Sequence, residues 1–179
     1  MSRIAIPAVE TATGATADIY ARVRKVAGGS LPNLFATVGA LAPQALGAVL
    51  DAEGVLGAGS LSKHDLETIK LRVSVLTGCD YCEAAHSLLS KLAGLSPQVI
   101  SQVRAGQPTG DARRDALLRF LGVLLESSGT IAREEFDAIK AAGYTDRQLT
   151  EISLAIATTI FTNTFNRIND TDVDFPPVR

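Results

Sequence analysis

The chain has 179 residues, 17 basic and 19 acidic side chains, a formal net charge of −2 and a mean hydropathy of +0.20. That length suits one domain with a core of its own, so neither a metal nor crosslinks are required to hold it together. The charges are scattered, which excludes the basic footprint of a nucleic-acid or anionic-membrane binder and leaves small molecules and proteins as partners. Apolar residues make up 46% of the chain, enough to exceed one monomer core, and self-association into a homo-oligomer is expected.

Met1 to Pro7 do not lead into the uninterrupted apolar stretch of a secretory signal, which predicts a cytoplasmic, reducing setting. Residues 1–30 read as an N-terminal extension of a single domain over 1–179. Pro32 and Pro43 each open a helix, the first carrying Leu34, Phe35 and Val38, the second Leu46, Val49, Leu50 and Val55. Ser62, with Asp65 three residues on, caps a helix through Leu66, Ile69, Val73 and Leu76 that Thr77-Gly78 interrupts. The next helix starts at the cysteines and runs through Leu92 to a stop at Gly94.

Further helices follow from Ser96-Pro97 to Gly106, from Asp111 to Ser128, and from Thr130 to Ala142. Thr145-Asp146 then caps a long one through Asn166, with a polar tail over 170–179. Its most apolar run, Ile152 to Phe165, is broken by Ser153, Asn163 and four Thr, which suits a buried helix rather than a lipid-facing span. No alternating β-branched segment bounded by hairpin turns occurs, so the fold class is all-α. Leu61 to Leu71 echoes Tyr144 to Leu154, pairing Leu66 with Leu149 and Ile69 with Ile152, as two related helical units would. In that alignment Thr162 and Phe165 stand where the first unit has its cysteines.

The only two cysteines, Cys79 and Cys82, form a Cys-x-x-Cys pair with His86 one helical turn beyond and Glu67 upstream. Reversible disulfide chemistry needs such a pair, and His and Glu are the residue types that move a thiol proton. Haem attachment needs His directly after the second Cys, whereas here Glu83-Ala84-Ala85 intervene. A structural zinc site wants four ligands, and with only His64 and His86 in the chain it would have to enlist Glu67. On a helix Cys82 and His86 lie about 40° apart around the axis and Cys79 about 60° to the other side, which puts a disulfide within reach.

Two effects compete for the better thiolate. The helix N-terminus favours Cys79, taken as the more exposed sulfur, and His86 favours Cys82. A close imidazolium outweighs a helix end, so Cys82 is expected to attack. Asp80, Tyr81 and Glu83 would rim the site, with Tyr81 a candidate for lining the substrate, and His64 reads as a solvated residue beside a cap.

Glu67, the eleven residues after it, Cys79-x-x-Cys82 and His86 resemble the active-site motif of the AhpD-like, carboxymuconolactone decarboxylase-related family, in its uncharacterised peroxidase-related branch. The resemblance runs from Leu31-Pro32-Asn33-Leu34-Phe35 through Gly94-Leu95-Ser96 to Asn166-Arg167-Ile168-Asn169. It implies an all-helical oligomer and thiol-dependent alkyl hydroperoxidase activity without flavin, haem or another cofactor. In that reading Cys82 attacks a small hydroperoxide, Cys79 resolves, Glu67 and His86 relay the proton, and a dithiol or lipoyl-type protein is the reductant. AhpD itself has a histidine directly before the second Cys where this chain has Tyr81, a difference that bears on rate and reductant. The family's true decarboxylases lack the Cys pair. A reading of another class is a non-enzymatic helical assembly module whose Cys pair binds a metal or senses redox state.

Overall fold

The computed structural model describes residues 1–5 and 8–177. Of the segments read above as an extension and a polar tail, Ile6, Pro7, Val178 and Arg179 lie outside the described residues. The described residues form nine α-helices and no strand: α1 (Gly14–Val26), α2 (Asn33–Leu41), α3 (Pro43–Gly57), α4 (Lys63–Leu76), α5 (Asp80–Leu92), α6 (Pro97–Ala105), α7 (Ala112–Glu126), α8 (Arg133–Ala141) and α9 (Asp146–Asn169). Among them, no helix is long and apolar enough to cross a membrane.

α4 is the central helix, packed against α5, α6, α7 and α9. Its Leu66, Ile69 and Val73 enter a core with Leu117, Leu121, Ile139, Tyr144 and Ile152 from α7, α8 and α9 and the turn between the last two. Leu71, on another side, packs with Val103 and Leu118. Each such side chain contributes about 1.5–3 kcal/mol by leaving water, which is why a helix of low intrinsic amphipathicity is held so firmly. A second core gathers Ile19, Tyr20 and Val23 of α1 with Leu34, Val38, Leu46 and the two cysteines. Residues 14–26 are therefore an integral helix beneath the site.

Ser62 with Asp65 caps α4 and Thr145 caps α9 as expected, each as a capping box, the second completed by Gln148. Asp65 does more than cap. It is 6% exposed, and its carboxylate accepts bonds from Ser62 Oγ, Arg113 Nη1 and Tyr144 Oη, each at 2.9 Å. The Arg113 guanidinium lies 3.9 Å from the centroid of the Tyr144 ring. This cluster ties the start of α4 to α7 and to the entry of α9. Glu151 makes a second tie, accepting the backbone N–H groups of Ser60 and Leu61 just before α4.

The two echoed units diverge where it matters. α4 stops at Leu76 and α5 begins at Asp80, whereas α9 runs unbroken through the corresponding point, 24 residues in all.

Candidate active site

The turn between α4 and α5 is built by one residue with two jobs. Gly78, at φ +67°, takes the left-handed conformation that ends α4, while its N–H bonds Val75 O and the Cys79 N–H bonds Ser74 O. That is the double-bonded glycine stop of a helix. Cys79 is thus the last residue of the α4 stop and also the N-cap of α5, where its Sγ accepts the Cys82 N–H at 3.4 Å. A sulfur holds the place that Ser or Asp usually takes, at the positive end of a helix.

Cys79 and Cys82 are free thiols, 2% and 3% exposed, so the expected greater exposure of Cys79 is not found. Hydrogen bonding from the Cys82 thiol, and also from the Cys82 N–H and Asn166, outweighs burial and holds the Cys79 thiol below its ordinary value. The hydrogen bond to Cys79, together with burial, pushes the Cys82 thiol well up, against smaller opposing bonds from Asn166 and Thr162. Among the described residues no hydrogen bond joins His86 to either sulfur. In the resting arrangement the hydrogen bond between the two thiols thus acts in opposite directions on them, lowering Cys79 and raising Cys82.

The fold-back at Gly78 brings Glu67 of α4 to His86 of α5, with Oε2 3.0 Å from Nδ1. Both side chains are mostly buried, at 14% and 16% exposure. Burial raises the Glu67 carboxyl, but the hydrogen bond and charge of His86, with Lys70, hold it below the usual carboxylate range. An ionised Glu67 requires the proton on Nδ1, which leaves His86 Nε2 as the basic nitrogen. The couple is oriented as a proton acceptor.

Tyr81, a sequence candidate for the substrate site, is 4% exposed. α2 begins after Pro32, which has no capping side chain, and Tyr81 Oη accepts the Leu34 N–H at 3.2 Å while Asp174 accepts the Asn33 N–H at 2.8 Å. Its ring meets Phe175 edge-on at 5.3 Å between centroids. The hydroxyl is taken up by the scaffold, and the tail read as merely polar packs over the site helix. Asp80, Glu83 and Ala84 line the outer face of α5 beside a groove of about 580 Å³ shared with Arg104, Val173 and Phe175. Glu83 pairs there with Arg104 at 2.6 Å. His64 is exposed, as expected, and its Nε2 lies 2.9 Å from Ala93 O at the end of α5. Among the described residues no cluster of three or more His, Cys, Asp or Glu is placed to hold a metal ion.

Sequence reasoning missed Asn166. Its Nδ2 donates to Cys82 Sγ at 3.2 Å from a site 3% exposed on α9. The available signal was a polar residue recurring at helical spacing within an apolar helix.

Residues 43–117 match the carboxymuconolactone decarboxylase family. The matched segment lies within an AhpD-like helical fold. The fold is that of an uncharacterized peroxidase-related protein from Ralstonia eutropha JMP134, an alkylhydroperoxidase AhpD core, at 24% identity and TM-score 0.81 over 97% of this chain and 92% of that one. A protein of unknown function from Agrobacterium tumefaciens, described as a putative antioxidant defence protein AhpD, is 25% identical over 78% of this chain and 94% of its own, with TM-score 0.67. The debrominase Bmp8, solved with 2,3,4-tribromopyrrole, shares the fold at 20% identity and TM-score 0.74 over 88% and 84% of the two chains. No curated protein matches the chain in sequence.

Proposed function

We propose that this AhpD-like protein is a thiol-dependent peroxidase that reduces small alkyl hydroperoxides through the Cys79/Cys82 pair. The observation that carries the reading is the placement of two free thiols at the head of α5 with Glu67 hydrogen-bonded to His86 one turn along. The AhpD names of the similar structures support it.

The place of Cys79 as N-cap of α5, where its sulfur accepts the Cys82 N–H, favours it as the attacking thiolate. Cys79 gives its proton to His86, its thiolate attacks the terminal peroxide oxygen and the O–O bond breaks; the alkoxide takes the proton back from His86 and leaves as an alcohol, with Cys79 now a sulfenic acid. Cys82, whose proton is held tightly, gives it up to His86 and attacks the Cys79 sulfur; the S–O bond breaks and hydroxide departs as water. In sum one hydroperoxide and two thiols become an alcohol, water and a disulfide. A dithiol or lipoyl-type protein then restores the thiols by exchange. Exposed Leu92, Val55, Leu41 and Ile168 favour a homo-oligomer as the working form.

The test treats wild type, Cys79→Ser and Cys82→Ser with one equivalent of an alkyl hydroperoxide and follows intact mass with a sulfenic-acid trap. The expected result is loss of two hydrogens in wild type, an adduct on Cys79 in Cys82→Ser and no peroxide consumption by Cys79→Ser. An adduct on Cys82 in Cys79→Ser would restore the order implied by the family resemblance. Wild-type thiols that survive excess peroxide, with stoichiometric zinc released on unfolding, would replace the enzyme by the metal-binding module.

A further inference from the structure

α9 presents Thr159, Asn163, Asn166 and Asn169 to the interior at successive helical spacings, all 3% exposed or less. Three of these have structural work. Thr159 Oγ1 bonds back to Ala155 O at 2.7 Å, Asn163 Nδ2 donates to Thr77 Oγ1 at 2.7 Å, and Asn169 links Ile4 N–H with Thr171 Oγ1. Asn166 differs. Its Nδ2 donates to Cys82 Sγ at 3.2 Å, a reactive sulfur rather than a scaffold hydroxyl, and among the described residues its buried Oδ1, like that of Asn163, has no hydrogen-bond partner. Its own carbonyl accepts the N–H groups of Asp170 and Thr171, which fixes the residue at the end of α9.

A neutral thiol sulfur is a weak acceptor, and a buried amide satisfied only by one is poorly served in the resting protein. The same bond becomes strong once the sulfur carries charge. Resting on the peroxidase reading, we propose that Asn166 is a catalytic residue of the resolving step. Its Nδ2 stabilises the thiolate formed on Cys82, and its Oδ1 accepts a hydrogen bond from the sulfenic acid hydroxyl on Cys79, orienting that group for attack. Cys82 passes its proton to His86, the S–S bond forms as the S–O bond breaks, and the departing hydroxide takes that proton from His86 to leave as water. The titratable neighbours of Cys82 are Cys79 and Tyr81 on its own helix, with the Glu67–His86 couple one turn along; α9 supplies only the neutral Thr162 and Asn166.

The test has two readouts that do not share the same assumptions. The first is the pH profile of alkylation at Cys82 in a Cys79→Ser background, which needs no peroxide. Asn166→Ala and the isosteric Asn166→Asp should both move it to higher pH, the acid further, while Asn163→Ala lowers thermal stability and leaves the profile in place. The second is the lifetime of the sulfenic acid after one equivalent of hydroperoxide, which should lengthen roughly tenfold in Asn166→Ala, less than the loss of an oxyanion donor because sulfur charge is diffuse. Unmoved profiles in Asn166→Ala and Asn166→Asp, or an equal shift in Asn163→Ala, would overturn the donor role even if wild type forms its disulfide. If wild type forms no disulfide, the peroxidase reading fails while the alkylation profile still decides whether Asn166 supports the Cys82 anion.

Discussion

Replacing Asp65 by Ala should be the most destabilising single change in the cluster that joins α4, α7 and α9. The substitution keeps the Ser62 cap on the Asp65 N–H but removes the acceptor of three groups. The Tyr144 hydroxyl, in a side chain 1% exposed, is left without a partner, at about 1–3 kcal/mol. Arg113 is 37% exposed, so water replaces much of its bond and its loss is roughly 0–1 kcal/mol. The sum is about 1–4 kcal/mol, centred on ~2.5, or roughly 5–10 °C in Tm for a domain of this size. The assay is urea unfolding at fixed protein concentration, in a cycle with Tyr144→Phe. If the orphaned hydroxyl dominates, deleting it rescues part of the loss, and the double variant is about 1–2 kcal/mol more stable than the sum of the singles predicts. A loss under ~1 kcal/mol for Asp65→Ala, or strict additivity, would refute the argument.

Glu67 is held below its ordinary value of 4.5, so the stability it contributes is present above that pH and drains away as the pH falls through the depressed folded value. Glu67→Gln should therefore show a smaller drop in Tm between neutral pH and pH 4 than wild type, and equal drops would contradict the pairing with His86. Gly106→Ala meets both a φ of +65° and the Arg72 guanidinium 2.6 Å from the new methyl, whereas Gly129→Ala meets only a φ of +83° in open space. The first should lose at least about 1 kcal/mol more than the second by urea unfolding, since it also dislodges Arg72 from Arg104 O. Equal losses would mean that Arg72 yields freely.

The helices that sequence made legible are those with chemical punctuation. Ser62 with Asp65, Thr145, Pro43 and Gly94 mark ends because they satisfy or terminate backbone groups locally. α1 carries no such mark: Gly14 opens it, no side chain caps it, and its buried Ile19, Tyr20 and Val23 are too few to declare a period. Glu67 and His86 were legible as residue types, yet their 3.0 Å contact depends on how Gly78 folds the chain back. The burial of both sulfurs and the hydrogen bond between them were not legible, because they are tertiary facts. Tyr81 and Phe175 looked like a rim residue and part of a tail, since nothing local tells a tyrosine that it will cap a helix 47 residues away.

The bond from Asn166 to Cys82 spans 84 positions, and this has a consequence for the newly made chain. At a synthesis rate of 5–20 residues per second, about 4–17 s separate the appearance of the cysteines from that of the asparagine. Through that interval α5 lacks the helix that shields one sulfur and donates to it. The cysteines then react as any solvent-reached dithiol does, at a rate set by the surrounding medium. Docking of the final helix ends that exposure, so the tuned reactivity of the pair is acquired late and all at once, as a property of the completed fold.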